Sequence, residues 1–160
     1  TLREICESLK FDDPRTYLQS GNVVFRTRRK PEAAAVALEE AIEARLGFRP
    51  AVVPRTAPQI AATVEGLPIG FARDLDRSKL LVMFLAGEPA GDALVKIARL
   101  ALPEQVEARG REVYIYFPDG VGRSKLSTTV LERAFGGPMT GRNWNTVLAL
   151  RELACGRGAA

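Results

Sequence analysis

Apolar and polar positions along the chain recur at two periods, and together they predict a mixed architecture. Leu2, Ile5, Cys6 and Leu9 share one face at helical spacing, so the chain begins inside an amphipathic helix. Asp12, Asp13 and Pro14 signal a turn. Residues 15–19 and 22–27 are rich in strand formers and predict a hairpin around Ser20, Gly21 and Asn22, with Gly21 supplying a positive φ. Ala35, Leu38, Ile42 and Leu46 form the stripe of a helix over 31–46, opened by Pro31 and stopped by Gly47. Glu39, Glu40 and Glu43 fall on its watery face. A short strand at 51–53 and a short helix at 58–64 follow. Residues 66–78 mix glycine, proline and charge, and mark the boundary between two halves.

Residues 79–86 predict a strand, apolar without a break from Leu80 to Ala86, as a central strand covered on both faces would be. A helix over 90–101 is expected to turn Leu94, Ile97, Ala98 and Ala101 inward. Residues 105–109 and 112–117 predict a second hairpin through Gly110 and Arg111, with Val113, Ile115 and Phe117 on one face and Tyr114 and Tyr116 on the other. After a loop at 118–125, Ser127 caps a helix running to 135, and Leu126 and Leu131 have the spacing of a hydrophobic staple. A last helix spans 143–154. The order helix, hairpin, helix thus occurs twice, at 1–46 and at 90–135, and a strand precedes the second copy. This predicts an α+β fold of duplicated ferredoxin-like (β-α-β-β-α-β) halves, with the first strand of the first half missing from this chain and expected upstream of Thr1. The halves are 1–70 and 78–155, with a tail at 156–160.

Composition narrows the function classes. In 160 residues, 46% are hydrophobic and 26% charged, ordinary values for a folded domain. No stretch reaches the roughly 18 apolar residues of a membrane span. Two cysteines are too few for a disulfide scaffold, so a cytoplasmic location is expected. Histidine is absent, which excludes His-based triads and His-ligated zinc. Carboxylates show neither paired-acid nor metal-ligand spacing, and neither a metal nor a cofactor is expected. The net charge is +4, and all but five of the 23 basic residues are Arg, the side chain suited to bidentate phosphate contacts.

Three segments carry candidate chemistry. In the first, Gly120 and Gly122 let backbone N–H groups approach a ligand, Arg123 and Lys125 add charge, Ser124 adds a hydroxyl, and a helix start follows. It lacks Walker A spacing. The plainer reading is a turn leading into a capped helix. In the second, the chain's one Trp, Trp144, lies between Asn143 and Asn145 just after Arg142. A stacking face, a fork and paired donors could hold a base or sugar; the plainer reading is a capped helix anchored by its Trp. In the third, Gln19, Ser20 and Asn22 cluster at a hairpin tip; a turn accounts for Asn22 but not for Gln19. Arg26, Arg28, Arg29 and Lys30 make a basic run, open to a solvated-loop or a nucleic-acid reading.

Together these segments resemble the bacterial family known as domain of unknown function 1697. The resemblance rests on Gln-Ser-Gly-Asn-Val-Val-Phe at 19–25, Gly-x-Gly-Arg-Ser-Lys-Leu at 120–126 and Thr-x-Arg-Asn-Trp-x-Thr at 140–146. It implies a duplicated ferredoxin-like fold, an opening strand and an Arg-Gly-Ile-Asn-Val-Gly-Gly loop upstream of Thr1, and no particular activity. The expected function is a binding module for an anionic or phosphate-bearing ligand, a small molecule, nucleotide or nucleic acid. Its ligand residues would be Gln19, Ser20, Asn22, Gly122, Arg123, Ser124, Lys125, Arg142, Asn143 and Trp144. The alternatives are an enzyme acting on a phosphorylated small molecule, relying on Lys125 or Ser124, and a structural or interaction protein whose motifs brace the fold.

Overall fold

The first helical stripe folds as α1 (Leu2–Ser8) and buries Ile5 and Cys6. The protein is described by a computed structural model over residues 2–18, 21–71 and 76–156. Lys10 closes α1 at φ 61 and leads into β1 (Asp12–Tyr17), which pairs antiparallel with β2 (Asn22–Arg26). The expected turn at Asp12, Asp13 and Pro14 is instead an irregularity inside β1, where the register shifts between Asp12 and Arg15 and Asp13 takes φ 48. Pro14 has no N–H to give a ladder, and a short polar side chain tolerates a positive φ, so the strand bulges rather than ends. α2 (Pro31–Leu46) keeps the predicted bounds and ends at Gly47, whose φ of 79 lets its N–H reach Glu43 O.

The expected strand at 51–53 is not formed. The Val52 N–H donates to Glu39 Oε1 at 2.9 Å, so a carboxylate on α2 takes the place of a strand partner. Glu39 is accordingly half-buried rather than solvated. Among the described residues, the first sheet has two strands. Ile5, Cys6, Phe11, Ala34, Leu38 and Ile42 form the core here, and Phe11 stacks on Phe25 with ring centroids 4.3 Å apart.

α3 (Ala57–Glu65) follows, and the chain divides at 61/62 into two compact units, residues 1–61 with 149–160 and residues 62–148. The end of the chain joins the first unit through a hydrogen bond from Arg15 Nη2 to Leu153 O at 3.2 Å and one from Cys155 Sγ to Ala57 O at 3.3 Å. Of the expected tail at 156–160, residues 157–160 lie outside the described residues.

The second unit contains β3 (Leu80–Leu85), α4 (Ala93–Ala98), β4 (Gln105–Arg109), β5 (Glu112–Tyr116), α5 (Thr128–Phe135) and β6 (Met139–Asn143), followed by the start of α6 (Trp144–Cys155). Its sheet is antiparallel throughout, in the order β4-β5-β3-β6. The uninterrupted apolar run is the central strand, and of its side chains only Leu81 is not fully buried. Met83, Leu85, Val113, Ile115 and Phe117 meet Ile97, Leu131 and Phe135 in one core. Tyr114 is also fully buried, and its hydroxyl donates to Thr63 O at 2.6 Å. The β4–β5 turn places Gly110 at φ 59, the first central position where a type II′ turn calls for glycine.

Two expectations change. The helix at 90–101 shrinks to α4, which buries Ala93 and Ile97 while Leu94 stays 44% exposed and Ala98 and Ala101 face solvent. One i, i+4 pair is enough to seat so short a helix. Residues 139–143 form a strand, β6, that sequence reasoning did not foresee; Gly141 and the preceding Gly137 and Pro138 conceal it. A Cβ on Gly141 would lie 2.7 Å from Met83 Sδ and 3.2 Å from Leu81 Cδ2, so those side chains would have to shift to admit one.

Candidate functional site

Antiparallel pairing gathers four chain segments at one end of the second sheet. In register, Leu80 faces Tyr116, Gln105 faces Tyr116 and Leu81 faces Asn143. The residues before β3, before β4, after β5 and after β6 therefore share that end. Strands stand about 4.8 Å apart, so the ends of β5 and β6, on either side of β3, are about 10 Å apart at the backbone. Lys79 locks the loop that leaves β5: its Nζ donates to Pro118 O at 3.0 Å, and Phe117 N donates to Lys79 O at 2.9 Å.

That loop contains the first motif. Gly120 takes φ 85, a 3-10 turn follows over Val121–Arg123, and Ser127 Oγ caps α5 by accepting from Val130 N at 3.2 Å. Leu126 and Leu131 are buried, as the staple spacing required. Gly122, Arg123 and Lys125 are exposed. Ser124 Oγ donates to Glu104 Oε1 and accepts from Leu126 N at 2.9 Å. Glu104 Oε2 is buried and accepts no hydrogen bond from the described residues. The acids nearest in sequence, Asp119 and Glu132, form no ion pair with Arg123 or Lys125 among the described residues.

The second motif straddles the end of β6. Arg142 is half-buried, and its Nη1 donates to Gly141 O at 2.8 Å and to Thr140 Oγ1. Burial holds its guanidinium pKa below the ordinary value. Asn143 is exposed and caps α6, its Oδ1 accepting from Thr146 N at 2.9 Å. Trp144 is 2% exposed, so its indole packs inward and offers no open stacking face.

The third motif belongs to the first unit. Asn22 is buried, and its Nδ2 donates to Tyr17 O at 3.1 Å across the hairpin, the turn-bracing role. Gln19 and Ser20 lie outside the described residues. The structure thus brings Gly122, Arg123, Ser124, Lys125, Arg142 and Asn143 to one sheet end. Sequence reasoning missed Glu104 and Lys79 there. Counting register outward from the turn at 110–111 would have found Glu104, since the residue before β4 must lie beside the residue after β5. Among the described residues, no group of three or more His, Cys, Asp and Glu side chains is placed to hold a metal ion.

These features define a mixed α/β chain with two antiparallel sheets and a cationic loop at one end of the second. The chain belongs to the family described as "Protein of unknown function (DUF1697)", whose family model matches residues 1–114. The hairpin motif falls inside that stretch and the other two motifs beyond it. In fold the chain is similar to a conserved bacterial protein, SP0830 from Streptococcus pneumoniae, with a TM-score of 0.70 at 18% identity over 96% of this chain and 86% of that one. No curated protein matches the chain.

Proposed function

We propose that the chain is a binding module for an anionic, phosphate-bearing ligand, held at the end of the second sheet by Arg123 and Lys125. The observation that carries this reading is the exposure of Arg123 and Lys125, two residues apart on one loop and without a carboxylate partner among the described residues. Like charges gathered in this way repel, and an anion relieves them. A duplicated ferredoxin-like plan is part of the proposal. The order β4-β5-β3-β6 of a β-α-β-β-α-β unit supports it in the second unit, and the order α1-β1-β2-α2 supports it in the first. Two free cysteines suit a cytoplasmic setting. Among the described residues, no helix is long and apolar enough to cross a membrane.

The test is a thermal-shift series with inorganic phosphate, pyrophosphate and ATP, repeated on Lys125→Ala. A ligand of the native state raises the melting temperature, and loss of one charge-assisted hydrogen bond of about 1.5–3 kcal/mol weakens binding by about ten- to a hundredfold. No shift with any probe, or an unchanged affinity in Lys125→Ala, overturns the assignment. A second reading, in which the motifs only brace the fold, is favoured by the inward Trp144, the capping Asn143 and the Ser124–Glu104 bond. It gains if the probes leave the protein unshifted.

A further inference from the structure

We infer that the basic turn between β2 and α2 is a contact surface for the phosphate backbone of nucleic acid. The inference stands on the first unit alone and does not rest on the sheet-end reading. Ion pairs in this unit are unevenly placed. Arg3 pairs with Glu7 at 3.1 Å, Arg45 with Glu4 at 2.7 Å, and Arg49 with Glu39 at 3.4 Å and Glu43 at 3.2 Å. Lys10, Arg28, Arg29 and Lys30 are all exposed, and none forms an ion pair with a carboxylate among the described residues.

The fold holds these four cations together. Phe11, next to Lys10, stacks on Phe25 of β2, and the Arg29 guanidinium lies over the Phe11 ring at 5.5 Å from its centroid. An Arg seated on an aromatic ring is pre-oriented, so less side-chain freedom is lost when it meets a phosphate. Asp12, opposite Arg26, and Glu32, in the first turn of α2, offset part of this charge, but the cations outnumber them, and a net positive cluster attracts a polyanion. An anionic membrane would call for apolar side chains among the cations to enter the interface. The run Arg26 to Lys30 contains none: the exposed large hydrophobic residues nearest to it in sequence are Leu18 and Val36.

The experiment measures fluorescence anisotropy of a labelled single-stranded oligonucleotide against the full chain at several salt concentrations. The variants are Lys10→Gln/Arg28→Gln/Lys30→Gln and, as a control at a paired cation, Arg45→Gln. Four phosphate contacts at a slope of about −0.7 each predict about a 50-fold loss of affinity between about 50 and 200 mM salt, falling to about threefold when one contact remains. The triple variant is expected to bind more weakly at low salt and to show the shallower slope, while Arg45→Gln tracks the parent. Circular dichroism melting confirms that both variants are folded. Equal losses in the two variants, an unchanged slope in the triple variant, or binding to phosphatidylserine vesicles without binding to the oligonucleotide overturns the inference.

Discussion

Replacing Ser124 with alanine isolates the contact that decides how the sheet-end loop is held. Glu104 Oε1 accepts from Ser124, and Oε2 is already buried without a partner among the described residues. Ser124→Ala would leave a partly buried carboxylate without that donor and Leu126 N without its acceptor. A buried polar group left unsatisfied costs about 1–3 kcal/mol, and a charged one more, so the single variant should lose about 2–4 kcal/mol. Glu104→Leu removes the carboxylate and leaves a hydroxyl that can turn toward Leu126 N or solvent; it should lose about 0.5–1.5 kcal/mol. The double variant has no carboxylate to strand. It should therefore be more stable than the sum of the single losses allows, by about 1 kcal/mol or more. Urea unfolding of the four proteins measures each term, and at this chain size 1 kcal/mol moves the melting temperature by about 2–4 °C. Losses that add to within about 0.5 kcal/mol would refute the reasoning, because neighbours that share a buried hydrogen bond must couple.

Gly141→Val should destabilise the second unit by about 1–3 kcal/mol, since even a Cβ would lie 2.7 Å from the buried Met83 sulfur; calorimetric melting checks it, and a neutral result would show that Met83 yields freely. The protein should also weaken in alkali. Burial pushes the Cys6 thiol up to about 11, with the Glu7 charge adding to the effect, and burial pushes Tyr114 up to about 12, with Glu112 adding. Both groups hold their protons more tightly folded than unfolded, so the stabilisation is complete below about pH 9 and is lost as pH rises through 11 to 12. Cys6→Ala should flatten the lower part of that fall in a pH series of unfolding free energies, and an unchanged profile would count against it.

Elements with an uninterrupted or strongly periodic apolar signal were readable from the sequence. The run at 80–85 has the length and unbroken apolarity of a covered strand, and α2 was bounded at both ends by Pro31 and Gly47. Elements governed by tertiary pairing were not. β6 has the sequence Met-Thr-Gly-Arg-Asn, which has little strand propensity, and it exists because β3 offers a free edge. Residues 51–53 have strand propensity, yet Glu39 captures the Val52 N–H. At the site, the loop cations and the helix caps were legible because caps and glycine turns are local. The buried Trp144 agrees with the plainer reading of its segment, a capped helix anchored by its Trp. Glu104 was missed because its partner lies 20 residues away.

The placement of Glu104 bears on which reading of the sheet end is the better one. A carboxylate beside a loop carrying Arg123 and Lys125 has two cations to pair with, and a bond to either, like one to a hydroxyl, would be charge-assisted. Here the hydroxyl of Ser124, the residue between the two cations, takes the carboxylate oxygen instead. The bond fixes the loop backbone at its midpoint and leaves both flanking charges in solvent. Asn143 and Trp144 work the same way on the other side of β3: the amide caps α6 and the indole anchors it inward, which sets the helix start while Arg142 stays tied to its own strand. On the proposed reading, bracing and binding are separate tasks for neighbouring residues. Ser124, Asn143 and Trp144 hold the frame, and Arg123 and Lys125 are what the frame presents. On this division, Ser124→Ala should cost stability and Lys125→Ala should cost phosphate affinity with little loss of stability. If Lys125→Ala instead destabilises the fold as much as Ser124→Ala does, the division fails and the loop is structural throughout.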